Sequence, residues 1–196
     1  TDLIQNTSYS LISAVTYQSN NGGVWNFGGV DDYINVNPLT TGVEGDSATT
    51  MAAWVLSTNT ILRQAVFNYG LTSNNRTRGL EVGTPYSGTR YNISFHTWGH
   101  VYSSTNNAFT ENVWHYCVIT YAGGGTNSTN IKFYIDGEDA GYVLDYGSEN
   151  QTLNTPDNNI RLGMINGSYS DLDLSRQVGQ VQLYHRALPP GEVLQN

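Results

Sequence analysis

The feature that most limits the fold of this chain is a two-residue alternation of apolar and polar side chains that recurs from end to end. Helical periodicity is missing almost everywhere. Successive side chains leave a strand on opposite faces, so period-2 runs are the pattern of half-buried strands. Ten runs carry it, at residues 24–27, 33–37, 49–57, 61–68, 79–83, 90–97, 113–121, 130–137, 159–165 and 178–186. The segments between them, such as "TSNNRTRG", "AGGGTNSTN" and "INGSYS", are rich in the residues that make turns. Only "LPPGEVLQN" reads as helical, a final turn opened by Pro189 or Pro190. Many strands at short spacing, with no crossover helix, linker or internal repeat, predict one antiparallel β-sandwich over residues 1–196.

Composition supports strands and narrows the partners. Charged residues make up only 12% of the chain, Lys132 is its single lysine, and tyrosine occurs 14 times. Tyr and Thr suit pleated sheets, and Asn and Gly suit the turns between them. A net charge of −8 with no cluster of Lys or Arg argues against nucleic acid and anionic membranes, which both need concentrated positive charge. The low charge density leaves solubility to amides and hydroxyls, a surface common outside cells. No apolar run approaches the length of a membrane-spanning helix. Cys117 is the only cysteine, so no intrachain disulfide forms, and its strand-like setting reads as a buried, inert thiol. The chain starts at Thr1 and reads as a piece of something longer.

The run "NFGGVDDYINV" raises a sharper question, because Asp is a poor strand residue and Asp31 and Asp32 repel each other. Neighbouring strand residues face opposite ways, so the two do not readily serve one reaction centre. The expected role is local: one carboxylate accepts backbone N–H bonds and fixes the start of the 33–36 strand, while the other faces outward. Two later strands split cleanly. In 90–97, Tyr91, Ile93 and Phe95 oppose Arg90, Asn92, Ser94 and His96; in 178–186, Val181 and Leu183 oppose Gln180, Gln182 and Tyr184.

Three segments together resemble the LamG-like, concanavalin A-like jelly rolls. They are "NGGVWNFGGVDDYINV", then "WHYCVITYAGGGTNSTNIKFYIDGEDAG", which ends in the family's Y-x-D-G, and "VGQVQLYHRALPPGEVLQN" with its R-A-L turn. They occur in the family's order from Asn21 to the C-terminus and imply an all-β, antiparallel jelly-roll β-sandwich. Two positions depart from the pattern. Gly28 stands where an Asp is usual, and Gly179-Gln180 replace an acidic pair. This form looks most like versions in phage and other viral structural proteins, with related ones in secreted adhesins. The resemblance therefore implies a virion-surface or extracellular module that binds glycan or a neighbouring structural protein, and oligomerises through its parent assembly.

The same fold class includes polysaccharide-degrading enzymes, which is the alternative reading. A retaining glycosidase needs two carboxylates about 5 Å apart. The nearest string, "EGDSAT" from Glu44, lacks the second Glu, and Glu138 and Asp139 fall in a hairpin. His96, His100 and Tyr102 with Arg90 supply lyase-type groups without a lyase motif. No catalytic residue is assigned, and zinc spacing is absent. For glycan, Trp98 in "HTWGHVY" is the leading aromatic, placed to stack on a sugar or to cap the sandwich edge. His96, His100, Arg90, Asn92, Tyr134, Gln182 and Tyr184 complete the candidate binding set. Calcium is the candidate metal, because Asn166, Asp171 and Asp173 in "NGSYSDLDLS" form an oxygen-rich loop that Asp31 or Asp32 would join through the fold.

Overall fold

The computed structural model describes residues 8–19, 22–28, 31–37, 42–58, 63–83, 92–105, 109–158, 160–165 and 176–195. Fifteen strands and one short helix are defined among these residues. They are β1 (Ser8–Ile12), β2 (Thr16–Gln18), β3 (Val24–Asn26), β4 (Tyr33–Asn37), β5 (Thr49–Ser57), β6 (Gln64–Gly70), β7 (Thr77–Gly83) and β8 (Asn92–His96). There follow β9 (Val101–Ser103), β10 (Trp114–Tyr121), β11 (Ile131–Ile135), β12 (Glu138–Asp139), β13 (Val143–Tyr146), β14 (Ile160–Leu162), β15 (Arg176–Tyr184) and α1 (Pro190–Val193).

The strands form two antiparallel sheets. One runs β1-β4-β14-β6-β7-β8-β9-β13 and the other β12-β11-β10-β5-β15-β3-β2. The β6–β9 and β10–β12 strands follow one another as meanders, whereas β14 between β4 and β6, and β15 between β5 and β3, are reached by crossing between the layers. The inner faces enclose one core, in which Val66, Phe67, Leu80, Ile93 and Phe95 of the first sheet meet Met51, Ala53, Cys117, Ile119 and Phe133 of the second. Cys117 is fully buried, and burial holds its thiol well above the ordinary range, as expected for an inert group.

Each of the ten alternating runs overlaps a strand, and α1 opens with Pro190 in its first turn after Pro189. The "DD" run also behaves as its sequence implies. Asp32 is buried, and its Oδ1 and Oδ2 accept the Ala14 and Gly28 amides at 2.8 and 2.5 Å, tying the start of β4 to two neighbouring segments. Asp31 is exposed, with a left-handed φ of 64°.

β15 contains a feature that alternation alone does not give. Its pairing with β5 shifts between Val178 and Val181, so one extra residue is accommodated at Gly179-Gln180. This bulge resets the alternation. Val178 and Leu183 both enter the core with Val181 packed beside them, whereas an unbroken strand would turn Val178 outward.

Candidate functional site

The two polar stripes read from sequence lie on opposite outer faces of the sandwich, because β8 and β15 belong to different sheets. They form two surfaces and not one groove.

On the outer face of the first sheet, the ladder places Glu81 opposite Ser94, and Ser94 opposite Ser103. Gly79 stands opposite His96 in the adjacent row. Glu81 is fully buried. Its Oε1 meets His96 Nδ1 at 2.7 Å and its Oε2 lies 3.1 Å from Arg63 Nε. Burial alone would raise this carboxyl, but the His96 and Arg63 charges pull it below the usual carboxylate value. An ionised carboxylate only accepts, so His96 donates from Nδ1, which fixes its ring plane. Trp98 stacks on that ring, with centroids 5.7 Å apart and planes at 21°. The far side of the tryptophan packs toward Ala65 and Ile165, leaving it half-buried.

Trp98 occupies an unusual backbone position. It and Gly99 form the two-residue loop between β8 and β9, closed by Thr97 N–H donating to His100 O at 3.0 Å. Both have positive φ, 56° and 90°. Such a turn favours Asn-Gly, and a bulky residue in the left-handed region costs on the order of 1–3 kcal/mol. The backbone therefore gains nothing from tryptophan here, and the side chain is what the position retains.

The remaining candidates are distributed as follows. Asn92 is buried and donates to Ser104 O at 2.6 Å, a strand-end tie. His100 Nδ1 accepts the Ser148 amide at 2.9 Å, and partial burial lowers its pKa. Tyr134 lies beneath the C-terminal segment, where Leu188 and Val193 cover it together with Tyr116 and Val118. Tyr184 packs at the edge of that cluster, and Gln182 accepts the Tyr116 hydroxyl at 2.8 Å. Arg90, Asn166, Asp171 and Asp173 lie outside the described residues. Among the described residues, no three His, Cys, Asp or Glu side chains gather as a metal site, and no helix is long and apolar enough to cross a membrane.

Sequence reasoning missed three groups. Glu81 and Arg63 lie in the 79–83 and 61–68 runs, which read as strands with no role given to their charged members. Asp46, from the weighed "EGDSAT" string, receives the Tyr121 hydroxyl and the amides of Gly124, Gly125 and Leu153, so it organises the glycine-rich loop. Trp54 and Trp114, in the 49–57 and 113–121 runs, lie on the outer face of the second sheet. The strands are central, but Trp54 is 36% exposed.

The fold and these faces define a jelly-roll β-sandwich of the lectin type. The chain belongs to the concanavalin A-like lectin/glucanases superfamily, whose family model matches residues 27–194. No curated protein sequence matches the chain significantly. Solved structures with the same fold include domain 4 of AbnA, a GH43 extracellular arabinanase from Geobacillus stearothermophilus, in complex with arabinotriose. It matches at TM-score 0.65 and 12% identity, over 96% of this chain and 86% of that one. The binding domain of botulinum neurotoxin serotype G matches at TM-score 0.62 and 14% identity, over 96% of this chain and 45% of the toxin domain. A SAP-like pentraxin from Limulus polyphemus matches at TM-score 0.57 and 12% identity, over 94% and 79%. The chain spans less than half the length of the toxin domain.

Proposed function

We propose that this chain is a non-enzymatic recognition module that binds glycan, displayed on a virion or cell surface. Trp98 carries the reading. A tryptophan is held at a hairpin tip against backbone preference, stacked on a histidine that a buried carboxylate orients. An aromatic fixed in this way offers a rigid edge or face to a sugar at small entropic cost. The arabinotriose complex of the AbnA domain supports a carbohydrate ligand for this fold. The resemblance of the Gly179-Gln180 form to viral versions of the domain is what supports the virion setting and a neighbouring structural protein as a further partner. Glu81 engages both oxygens with His96 and Arg63, which suits a positioning role better than acid–base turnover.

The test is a glycan array followed by titration of the best ligand against the wild type and Trp98→Asn. Asn suits the left-handed turn, so the variant keeps or raises its thermal midpoint while affinity falls at least tenfold. Unchanged affinity removes Trp98 from the site. Running the array with and without EDTA tests the calcium proposed for the 166–173 loop. Product release from a polysaccharide, abolished by His96→Ala or His100→Ala, would replace binding with catalysis.

A further inference from the structure

The outer face of the second sheet holds a second aromatic surface, half covered and half open. Ladder partners share a face, so its rows follow from the register. Trp114 lies opposite Leu56, and Tyr116 opposite Trp54. Gln177 lies opposite Leu56, and Gln182 opposite Ala52. The C-terminal segment covers one end, where Leu188 and Val193 pack on Ala52, Tyr116 and Val118, and the Leu188 amide donates to Thr50 Oγ1 at 2.9 Å. The other end keeps Trp54 exposed and Trp114 half-exposed. The Trp54 ring lies 5.3 Å from that of Tyr116, whose hydroxyl is fixed by Gln182.

Gly179 makes the surface a platform. It sits in the β15 bulge, and a Cβ there would lie 3.2 Å from Trp54 Cβ and 3.8 Å from Trp114 Cζ3. Any larger side chain would reach over the indoles. Gly179 and Gln180 themselves bring no charge to this notch. Gln177 is held by its Nε2–H donating to Asn26 Oδ1 at 2.5 Å, and Gln180 is exposed. Two indoles beside the uncharged amides of Gln177, Gln180 and Gln182 complement an uncharged polyhydroxyl ligand. The chain's net charge of −8 disfavours an acidic one.

We infer that Trp54 and Trp114, bared by Gly179 and rimmed by Gln177, Gln180 and Gln182, form a binding platform for a neutral polysaccharide, separate from the Trp98 hairpin. The module is then two-faced, able to hold a glycan on each side of the sandwich.

Affinity electrophoresis in gels containing arabinan, galactan, β-glucan or mannan tests this, with alginate and hyaluronan as charged counterparts. At least one neutral gel retards the wild type, the charged gels do not, and Trp54→Ala and Gly179→Asp each weaken binding at least tenfold. Gly179→Asp leaves both indoles in the chain and sets a charged side chain against them, so it decides the matter should Trp54→Ala fail to fold. Wild-type mobility unaltered in every neutral gel, or wild-type affinity in both variants, overturns the platform. Loss of binding in Trp98→Asn alone overturns it while leaving the hairpin site standing, and loss confined to Trp54→Ala and Gly179→Asp does the reverse.

Discussion

Single carboxylates hold this fold together by collecting backbone donors. Asp32 joins the amides of Ala14 and Gly28, and Asp136 joins the Tyr116 amide to His115 Nδ1. Hydrogen bonds to a charged group contribute about 1.5–3 kcal/mol each, and a buried donor left without a partner adds a penalty. Asp32→Ala should therefore lower unfolding free energy by about 3 kcal/mol, read from the urea midpoint, while glycan affinity stays at the wild-type value. A structural part for the "DD" pair was legible because its position between a Gly-Gly turn and a strand leaves few other uses for adjacent acids. Which of the two is buried was decided by the fold, because the Ala14 amide that Asp32 collects comes from 18 residues away. Asp46 gave no signal at all, since its partners Tyr121, Gly124, Gly125 and Leu153 come from elsewhere in the chain.

At the scale of elements, the strands that sequence failed to announce are mainly the sheet edges. β1, β13, β12 and β2 terminate the two sheets. Together with β9 they are absent from the ten alternating runs. An edge strand is short and faces solvent along one side, so little burial pressure writes a period into it. The central strands β5, β6, β7, β10 and β15 run to between seven and nine residues with dry inner faces, which makes the alternation legible. The C-terminal turn is the exception that works like a wedge: Leu188 and Val193 close part of the outer face of the second sheet. Leu188→Ala should cost about 2–4 kcal/mol by the cavity it leaves. The same variant should leave binding at the open Trp54 end intact, a combination that denaturant melts and affinity gels check together. Burial pushes the Tyr116 hydroxyl up to about 12, with Tyr184 contributing, so its bond to Gln182 persists through physiological pH.

For the molecule as a whole, Arg78 and Glu81 place charge where a sandwich has little water. Arg78 is fully buried at one end of the core. Its Nη1 and Nη2 donate to the carbonyls of Ser47 and Gly45 at 2.8 and 2.9 Å, which links β7 of one sheet to the segment that leads into β5 of the other. Glu81 makes stability depend on acid. Its folded pKa lies below the ordinary carboxylate value of 4.5, so its contribution is complete above that pH and is lost as pH falls through the folded value. His100 is also depressed, so from about pH 6.5 downward the unfolded chain takes up that proton first, and stability declines earlier and more gently. Thermal midpoints should fall in two stages on acidification. Glu81→Gln should remove the lower stage and cost about 3 kcal/mol at pH 7, because it strands His96 and Arg63; a profile unchanged in the variant would refute the assignment.

Sequence by itself determined the all-β class, the central strands, the buried thiol, the closing helical turn and the local office of the aspartate pair. Each is written in neighbouring residues, through the two-residue period of the strand or the chemistry of a single turn. Tertiary structure alone decided which face each stripe occupies. A strand specifies that its sides differ, but not which sheet it joins, and so the sequence set His96 and Trp98 beside Gln182 and Tyr184, while the fold placed them on opposite faces. The same reason hid Glu81 from view and put Trp54 in the open: burial of an outer face depends on which segment crosses it, and that segment lies far away along the chain.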